Sequence, residues 1–293
     1  MIERKLLRPQ TLEEALADRE RYGRDALPIA GGQSLLVLLR NKLIDPTLLI
    51  DLEGIADLRG VDRRADGVSI GAMTTIDSVA SSPELRELIP VLSQAAAQVG
   101  STAIRNLGTI GGNLCHNEPG ADLPPALLTL NAKVQLRSRG GSRTVELAEF
   151  FRGYFETAVK PDELLTRIEI PPQPTGITGV YLKHAISPED LAIASVSVVV
   201  VADGKDGKTR EVRIGLGGVS PVPFRAAKAE KILAASSLDD AAIREAAEAA
   251  ASEAEPMTDP HGSADYRRKM VRVLIRRAVS AAMDSKRNGN GKA

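Results

Sequence analysis

The spacing of hydrophobic and polar positions along the chain predicts a mixture of helices and strands. Thr11 and Glu14 have the spacing of a capping box, and Gly23 closes the short helix that they begin. The apolar runs at 26–30 and 47–52 predict buried strands on either side of a second, apolar helix. The N-terminal part of the chain therefore alternates between strand and helix.

The same patterning continues through the middle of the chain. Two short strands are expected around the turn at Asp66–Gly67. One helix is predicted over 82–100, with Pro83 in its first turn and Gly100 just past its end. Further strands are predicted at 132–138, 143–147 and 163–171.

A segment rich in proline and glycine, 171–179, is the best candidate for a linker between domains. Beyond it, strands are predicted at 180–186, 193–203 and 209–219, with a turn at 204–207. Two helices close the chain, at 239–255 and 266–283. A chain of 293 residues is long enough for two domains of mixed structure.

Composition excludes several classes of function. Lys plus Arg equals Asp plus Glu, at 38 each, so no net field draws the chain to nucleic acid or to an anionic membrane. Only 3% of residues are aromatic, which disfavours a stacking surface for bases. A single cysteine cannot form an internal disulfide or ligate an iron–sulfur cluster. Since the sequence has neither a signal peptide nor an apolar run of membrane length, we expect a cytoplasmic protein without membrane insertion.

Candidate chemistry is concentrated in the stretch TIGGNLCHNEPGADLPPAL, residues 109–127. It contains Cys115 beside His116, but neighbouring residues on a strand or loop point to opposite sides and chelate poorly. The other histidines, His184 and His261, are distant, and no HExxH or CxxC spacing occurs. We therefore expect no metal site. A Cys–His nucleophile is not expected either, since no third group orients the pair.

A phosphate site accounts better for the glycines. In AGGQS, residues 30–34, a predicted strand leads through Gly-Gly-polar-Ser into a helix, so several backbone N–H groups can converge on one anion. GTIGGN, residues 108–113, is predicted to form a second, strand-adjacent nest of this kind. Neither loop is GxGxxG or contains GK[ST], which excludes a Rossmann fingerprint and a P-loop. The pair predicts a dinucleotide bound in a non-Rossmann way.

Five motifs together carry a resemblance to a known family. They are AGGQSL, RNLGTIGGNL followed by ADLPPALL, ELLTRIEIP, YLKHAISPEDLAIASV and DPHGSADYRRKMVRVLIRRAV. In this order, and over essentially the whole chain, they resemble the FAD-binding medium subunit of molybdenum hydroxylases. That family includes the carbon monoxide dehydrogenase medium subunit and the xanthine dehydrogenase FAD-binding subunit.

The resemblance implies an α+β fold in two domains. A two-lobed FAD-binding domain of the vanillyl-alcohol-oxidase (PCMH) type is expected at 1–175, with lobes at about 1–56 and 57–175. A smaller α+β domain, like the C-terminal domain of the carbon monoxide dehydrogenase flavoprotein, is expected at 176–285. Residues 286–293 are expected to form a flexible tail.

The resemblance also implies that the chain carries FAD. By motif position, the binding residues are Ala30, Gly31, Gly32, Gln33, Ser34, Thr109, Ile110, Gly111, Gly112, Asn113, Asp122, Leu164 and Lys183. In the family, both glycine loops grip the diphosphate and the ribityl chain. Asp122 falls on the acid that anchors the cofactor, Leu164 on an apolar residue at the flavin ring, and Lys183 on a basic contact. No catalytic residue and no metal ligand is implied in this chain.

The resemblance implies a heteromeric oxidoreductase. Its partners are a large molybdenum-binding subunit and a small subunit with two-iron two-sulfur clusters, in a dimer of heterotrimers. The FAD subunit passes electrons from the iron–sulfur subunit to an external acceptor, and the substrate is oxidised on a partner. Two alternatives remain: a stand-alone FAD-dependent oxidoreductase of the same superfamily, and a flavin-free assembly protein.

Two positions depart from the family pattern. Glu118 stands where the family often has Asp, and Leu191 stands where it often has an aromatic residue that covers the isoalloxazine.

The last helix is predicted to expose a basic face to solvent or to another subunit, formed by Arg267, Arg268, Lys269, Arg272, Arg276 and Arg277. Its apolar positions Met270, Leu274 and Ala278 are predicted to pack.

Overall fold

The computed structural model of the protein describes residues 5–202 and 209–289. Within these ranges the strands are β1 (Lys5–Leu7), β2 (Ala26–Ile29), β3 (Leu48–Asp51), β4 (Val61–Arg64), β5 (Gly67–Gly71), β6 (Lys133–Ser138), β7 (Gly141–Glu146), β8 (Phe151–Gly153), β9 (Glu156–Thr157), β10 (Leu164–Ile170), β11 (Ile177–His184), β12 (Ala194–Ala202), β13 (Thr209–Gly217) and β14 (Phe224–Arg225). The helices are α1 (Leu12–Tyr22), α2 (Leu35–Arg40), α3 (Ile76–Ser81), α4 (Pro83–Leu88), α5 (Pro90–Ala97), α6 (Thr102–Leu107), α7 (Ile110–His116), α8 (Leu123–Thr129), α9 (Leu147–Phe150), α10 (Ala227–Ala234), α11 (Asp240–Glu253) and α12 (Ala264–Gly289).

The chain divides into two compact units, neither of which is one continuous stretch. Unit 1 comprises Met1–Val79, Ser101–Asn117 and Ala132–Pro171. Unit 2 comprises Ala80–Gly100, Glu118–Asn131 and Pro172–Ala293. The predicted turn at 204–207 and residues 290–293 of the predicted tail lie outside the described residues, while α12 extends to Gly289.

Unit 1 contains two sheets. The first is parallel, with strand order β1-β3-β2, because a helix connects each strand to the next. As predicted, α1 begins at the capping residue Thr11, whose side chain accepts the Glu14 N–H, and ends at Gly23. The core around this sheet includes Leu12, Leu16, Ala26 and Ile50, all nearly inaccessible to solvent, with α1 packed on the strands.

The second sheet of unit 1 is antiparallel, with strand order β4-β5-β10-β6-β7. The β4–β5 hairpin turns before Gly67, as the sequence predicts, and Gly67 has a φ of +128° that favours glycine. β10 lies between two hairpins, and its Ile168 pairs with Ile70 on one side and Val134 on the other. All three side chains are buried.

Unit 2 is built on an antiparallel sheet of order β11-β12-β13-β14. Alternate residues of β12 and β13 pack in one core with α10, α11 and α12. Gly215 of β13 has no room for a side chain, since a Cβ there would lie 2.3 Å from the Pro125 carbonyl oxygen of α8. In this way the sheet fixes α8, which begins one residue after Asp122.

Two expectations about helices are corrected by the structure. The single helix predicted over 82–100 is wrong, because α4 ends at Leu88 and α5 starts anew at Pro90. Pro90 lacks an N–H and pushes Ile89 out of the helical region, to φ −145° and ψ 60°. The predicted basic face of α12 does not include Arg267, which is 6% exposed. The apolar positions pack as predicted, with Leu274 and Ala278 buried and Met270 partly buried against the same core.

Candidate functional site

The first glycine loop, residues 30–34, has the predicted strand–loop–helix geometry. It follows β2 directly and leads into α2, and Gly32 takes a left-handed φ of +69°. The backbone N–H groups of Gly31, Gly32, Gln33 and Ser34 form no hydrogen bond with any residue that the structure describes. Four consecutive donors are therefore available to an anion.

The second glycine segment, residues 109–113, has a different structure from the one predicted. It follows a helix, α6, and forms the start of α7 with Thr109 as its N-cap. The N–H of Ile110 donates to Thr74 O, that of Gly111 to Ala72 O, and those of Gly112 and Asn113 to Thr109 Oγ1 and Thr109 O. The prediction of a second strand-adjacent nest of free N–H groups is wrong.

The glycines of both segments serve close packing within unit 1. A Cβ on Gly31 would lie 1.8 Å from Leu107 O, at the end of α6. A Cβ on Gly111 would lie 2.6 Å from the Cβ of Ala72, and one on Gly112 would lie 3.5 Å from the Cβ of Ala30. These contacts bring the segments 30–34 and 107–113 side by side.

One side chain of the second segment is left without a partner. The Oδ1 atom of Asn113 is buried and accepts no hydrogen bond from the described part of the chain. A buried amide oxygen without a partner costs about 1–3 kcal/mol. The paired segments thus offer N–H donors for an anion such as a diphosphate and an acceptor for a hydroxyl group such as that of a ribityl chain. These requirements fit FAD.

Asp122 and Lys183 meet in unit 2, in a network of buried polar groups. Lys183 Nζ donates to Asp122 Oδ2 at 3.2 Å, to Gln98 O at 2.6 Å and to Asp190 O at 3.0 Å. The Tyr181 hydroxyl donates to Asp122 Oδ1 at 2.6 Å. All three N–H groups of the Lys183 ammonium are therefore used within the chain.

Burial controls the ionisation of this network. It raises the pKa of Asp122 to about 6, against the opposing effects of the Lys183 ammonium and the Tyr181 hydrogen bond. Burial, together with the neighbouring Asp122 carboxylate, raises the pKa of Tyr181 well above its usual value. Tyr181 accordingly stays protonated and acts as a donor. The carboxyl of Asp122 therefore changes between its neutral and charged forms near pH 6.

The remaining predicted residue, Leu164, belongs to unit 1. It is the first residue of β10, and its side chain is buried in the core cluster that also contains Met73, Ile55 and Leu58. The structure thus groups the two glycine segments together, groups Asp122 with Lys183, and places Leu164 in a hydrophobic core.

Both parts of the chain match known families. Residues 2–173 match the FAD binding domain in molybdopterin dehydrogenase, and residues 181–282 match the CO dehydrogenase flavoprotein C-terminal domain. The chain belongs to this family of flavoprotein subunits.

Relatives match over almost the whole length of the flavoprotein subunit. The carbon monoxide dehydrogenase medium chain of Afipia carboxidovorans is 37% identical over 96% of this chain and 97% of its own length. The glyceraldehyde dehydrogenase medium chain of Sulfolobus acidocaldarius is 35% identical over 93% of this chain and 95% of its own. The solved carbon monoxide dehydrogenase from Hydrogenophaga pseudoflava that lacks the Mo-pyranopterin moiety has a TM-score of 0.93 at 34% identity, covering 96% of this chain and 98% of that one.

These matches confirm the predicted family, fold class and cofactor. The protein is an FAD-carrying electron-transfer subunit of the molybdenum hydroxylase type, and hence an oxidoreductase. Its relatives are medium chains of enzymes with several subunits. None of the helices in the described ranges is long and apolar enough to cross a membrane.

Two features of the flavoprotein site were missed from the sequence. Tyr181 lies two residues before Lys183 on β11, so the strand period puts both side chains on one face, and this signal was available. The pairing of Gly31 with Leu107 was not predictable, because it joins positions far apart in sequence that no local pattern links.

Proposed function

We propose that the segments 30–34 and 109–113 hold the diphosphate and ribityl parts of FAD. The free N–H groups of Gly31 to Ser34 support this role for the first segment, because a diphosphate needs several donors that converge. In the second segment, the buried Oδ1 of Asn113, which has no partner in the described part of the chain, accepts a hydrogen bond from a ribityl hydroxyl of FAD. Thr109, Ile110, Gly111 and Gly112 shape this side of the site. The N–H groups of Ile110, Gly111 and Gly112 are already bonded within the chain, and Thr109 caps α7 through its Oγ1 and its carbonyl oxygen.

We further propose that Asp122, Lys183 and Leu164 contact the cofactor, as the motif positions imply. The Asp122–Lys183 pair supports this role, since a buried carboxyl and ammonium held by several hydrogen bonds keep a fixed geometry. A contact of Lys183 with FAD exchanges one of its three internal hydrogen bonds for one to the cofactor. A contact of Leu164 requires its buried side chain to be uncovered on the cofactor side.

When bound, FAD would supply the chemistry for electron transfer between the iron–sulfur subunit and an external acceptor. We propose that the donor is a small subunit with two-iron two-sulfur clusters and that a large molybdenum-binding subunit oxidises the substrate. The assembly is a dimer of heterotrimers in the cytoplasm, and the electrons go to an external acceptor. Relatives of nearly equal identity are named for carbon monoxide and for glyceraldehyde, which supports substrate selection on another subunit.

We also propose a flavin domain at 1–175 and a C-terminal domain at 176–285. The two family matches, at 2–173 and 181–282, support this division along the chain. The compact units follow it only in part, because 80–100 and 118–131 cluster with the C-terminal residues.

Anaerobic mixing of the purified, FAD-loaded chain with candidate substrates tests the proposal. The substrates are aldehydes, purines, N-heterocycles and carbon monoxide, and the readout is the visible absorbance of the flavin. The free chain should bind FAD and exchange electrons with artificial donors, yet none of these substrates should bleach it. Co-expression with the molybdenum and iron–sulfur subunits should restore substrate-dependent bleaching. Bleaching of the chain alone would establish a stand-alone oxidoreductase instead.

A further inference from the structure

The segment that joins β11 to β12, residues 185–193, contacts Lys183 and the segment that carries Asp122 through its backbone. Its Asp190 carbonyl accepts a hydrogen bond from Lys183 Nζ at 3.0 Å. Its Ala192 N–H donates to Gly120 O at 3.1 Å, two residues before Asp122. We call this segment the β11–β12 loop. A displacement of the loop would therefore displace Lys183 and the segment that carries Asp122.

Two consecutive residues of α12 hold the two ends of the β11–β12 loop. The Tyr266 hydroxyl lies 2.8 Å from Nε2 of His184, the residue immediately before the loop. Arg267 Nη1 donates to Ile193 O at 2.7 Å, at the residue where the loop ends. The Ile193 N–H also donates to His184 O, which closes the loop at its base. A shift of the first turn of α12 would thus move both ends of the loop together.

Arg267 also connects the loop to the segment that carries Asp122. Its Nη1 donates to Gly218 O at 2.8 Å, and the Gly218 N–H donates to Pro119 O at 2.7 Å. Gly218 has a φ of +74°, and a Cβ there would lie 2.6 Å from Ala192 O, so these segments are in close contact. One guanidinium therefore bridges the end of the loop and the backbone that pairs with Pro119.

Arg267 lies in a largely buried environment that contains a counter-charge. Its side chain is 7% exposed, and its charge is balanced by Asp259, whose Oδ2 accepts from Nη2 at 2.6 Å. The Asp259 carboxylate is itself fixed by the N–H groups of His261 and Gly262. The ion pair is only partly buried, because the Asp259 side chain is 30% exposed, and it contributes little net stability. The three hydrogen bonds of the guanidinium restrict its orientation.

We propose that Tyr266 and Arg267 are positioning residues of the FAD site, which act through the β11–β12 loop and Gly218 on Lys183 and Asp122. This inference rests on the proposed contacts of Lys183 and Asp122 with FAD. It gives Tyr266 and Arg267, which belong to the last of the five motifs that carry the family resemblance, a role in the cofactor site, although neither residue belongs to the predicted FAD contacts.

The test measures the FAD dissociation constant of conservative variants by flavin fluorescence. Tyr266→Phe removes one hydroxyl and should weaken FAD binding about fivefold, the equivalent of one neutral hydrogen bond. Arg267→Lys keeps the charge but loses the fork that spans Ile193 and Gly218, and it should weaken binding tenfold or more, on the order of one charged hydrogen bond. The matched control is Arg272→Ala, on the same helix as Tyr266 and Arg267. It removes a surface ion pair with Glu248 of α11 and should leave FAD binding unchanged.

A double-mutant cycle separates positioning from general loss of stability. The effects of coupled residues are not additive. Once Lys183 has been replaced by Met, the additional change Tyr266→Phe should therefore alter the FAD dissociation constant by less than about twofold. Lys183→Gln, which keeps a donor of shorter reach, takes the place of Lys183→Met if that variant does not fold.

Each contrary outcome identifies the step that fails. A fivefold effect of Tyr266→Phe in both backgrounds would overturn the coupling, and unchanged FAD affinity in Tyr266→Phe and Arg267→Lys would overturn the positioning role. Failure of the wild-type chain to bind FAD would overturn the proposed function itself, and this inference with it.

Discussion

The substitution Gly31→Ala tests whether the contact between the two glycine segments holds the N–H groups proposed to bind FAD in place. The added Cβ would lie 1.8 Å from Leu107 O and 2.8 Å from the Cα of Gly108, whereas Cβ atoms practically never come within 3.0 Å of a heavy atom outside their own residue and its chain neighbours. The two segments must therefore move apart by 1.2 Å or more. Because both contacts are with backbone atoms, no side chain can rotate away to relieve them.

A displacement of this size takes N–H donors out of hydrogen-bonding reach of a diphosphate. Hydrogen bonds to a charged group contribute about 1.5–3 kcal/mol each, so the loss of two weakens FAD binding about 100-fold or more. The overpacked contact should also destabilise the apoprotein by about 1–3 kcal/mol. Titration with FAD followed by flavin fluorescence measures the first effect, and urea unfolding measures the second.

Gly23→Ala provides the matched control for Gly31→Ala. Gly23 ends α1 in the same unit with a φ of +52°, and a Cβ there would meet nothing within 4 Å. The substitution costs about 1–3 kcal/mol through backbone strain alone. It should lower stability as much as Gly31→Ala and leave FAD affinity unchanged. FAD binding by Gly31→Ala within threefold of wild type would refute the argument.

Three further outcomes are expected. Acid precipitation of the holoprotein should release all of its FAD into the supernatant, since neither 30–34 nor 109–113 contains a His or Cys; flavin retained in the pellet would contradict this. Asn113→Ala should weaken FAD binding about fivefold while it stabilises the apoprotein to urea, because it removes a buried oxygen that lacks a partner; tighter FAD binding would count against the assigned acceptor role. Burial raises the pKa of Asp122 from 3.8 to about 6. The stability that Asp122 contributes is therefore fully present below about pH 4 and is lost as the pH rises to about 6. Over that interval Asp122→Asn should gain in unfolding free energy relative to wild type, and a constant difference would contradict the raised pKa.

Local patterns predicted most of the secondary structure. The capping box at Thr11, the hairpin at Gly67 and the strands of unit 2 all have short-range signals that the fold preserves. The prediction failed where the apolar pattern was read across Pro90, whose ring ends α4 whatever the periodicity. The split of 80–100 and 118–131 from their sequence neighbours was not predictable, because long-range packing decides it.

Burial of a charged residue was harder to predict than burial of apolar ones. The sequence assigns Arg267 to a basic, exposed face because five other basic residues follow it in the helix predicted at 266–283. Yet it precedes Val271, Leu274 and Ala278 by four, seven and eleven positions, which places it on the buried face of α12. The helical period therefore carried the signal, and charge alone concealed it.

The two Gly-Gly pairs show why one motif does not define one structure. The pair at 31–32 follows a strand, where the chain turns, and its N–H groups have no hydrogen-bond partner among the residues that the structure describes. After Gly108, the pair at 111–112 lies in the first turn of α7, and its N–H groups are taken by Ala72 and by the N-cap Thr109. Glycine is needed at 111 for the close approach of Ala72, whereas a left-handed φ makes it suitable at 32. The first pair thus offers hydrogen-bond donors, and the second allows close packing. The contact of Gly31 with Leu107 places the two segments side by side.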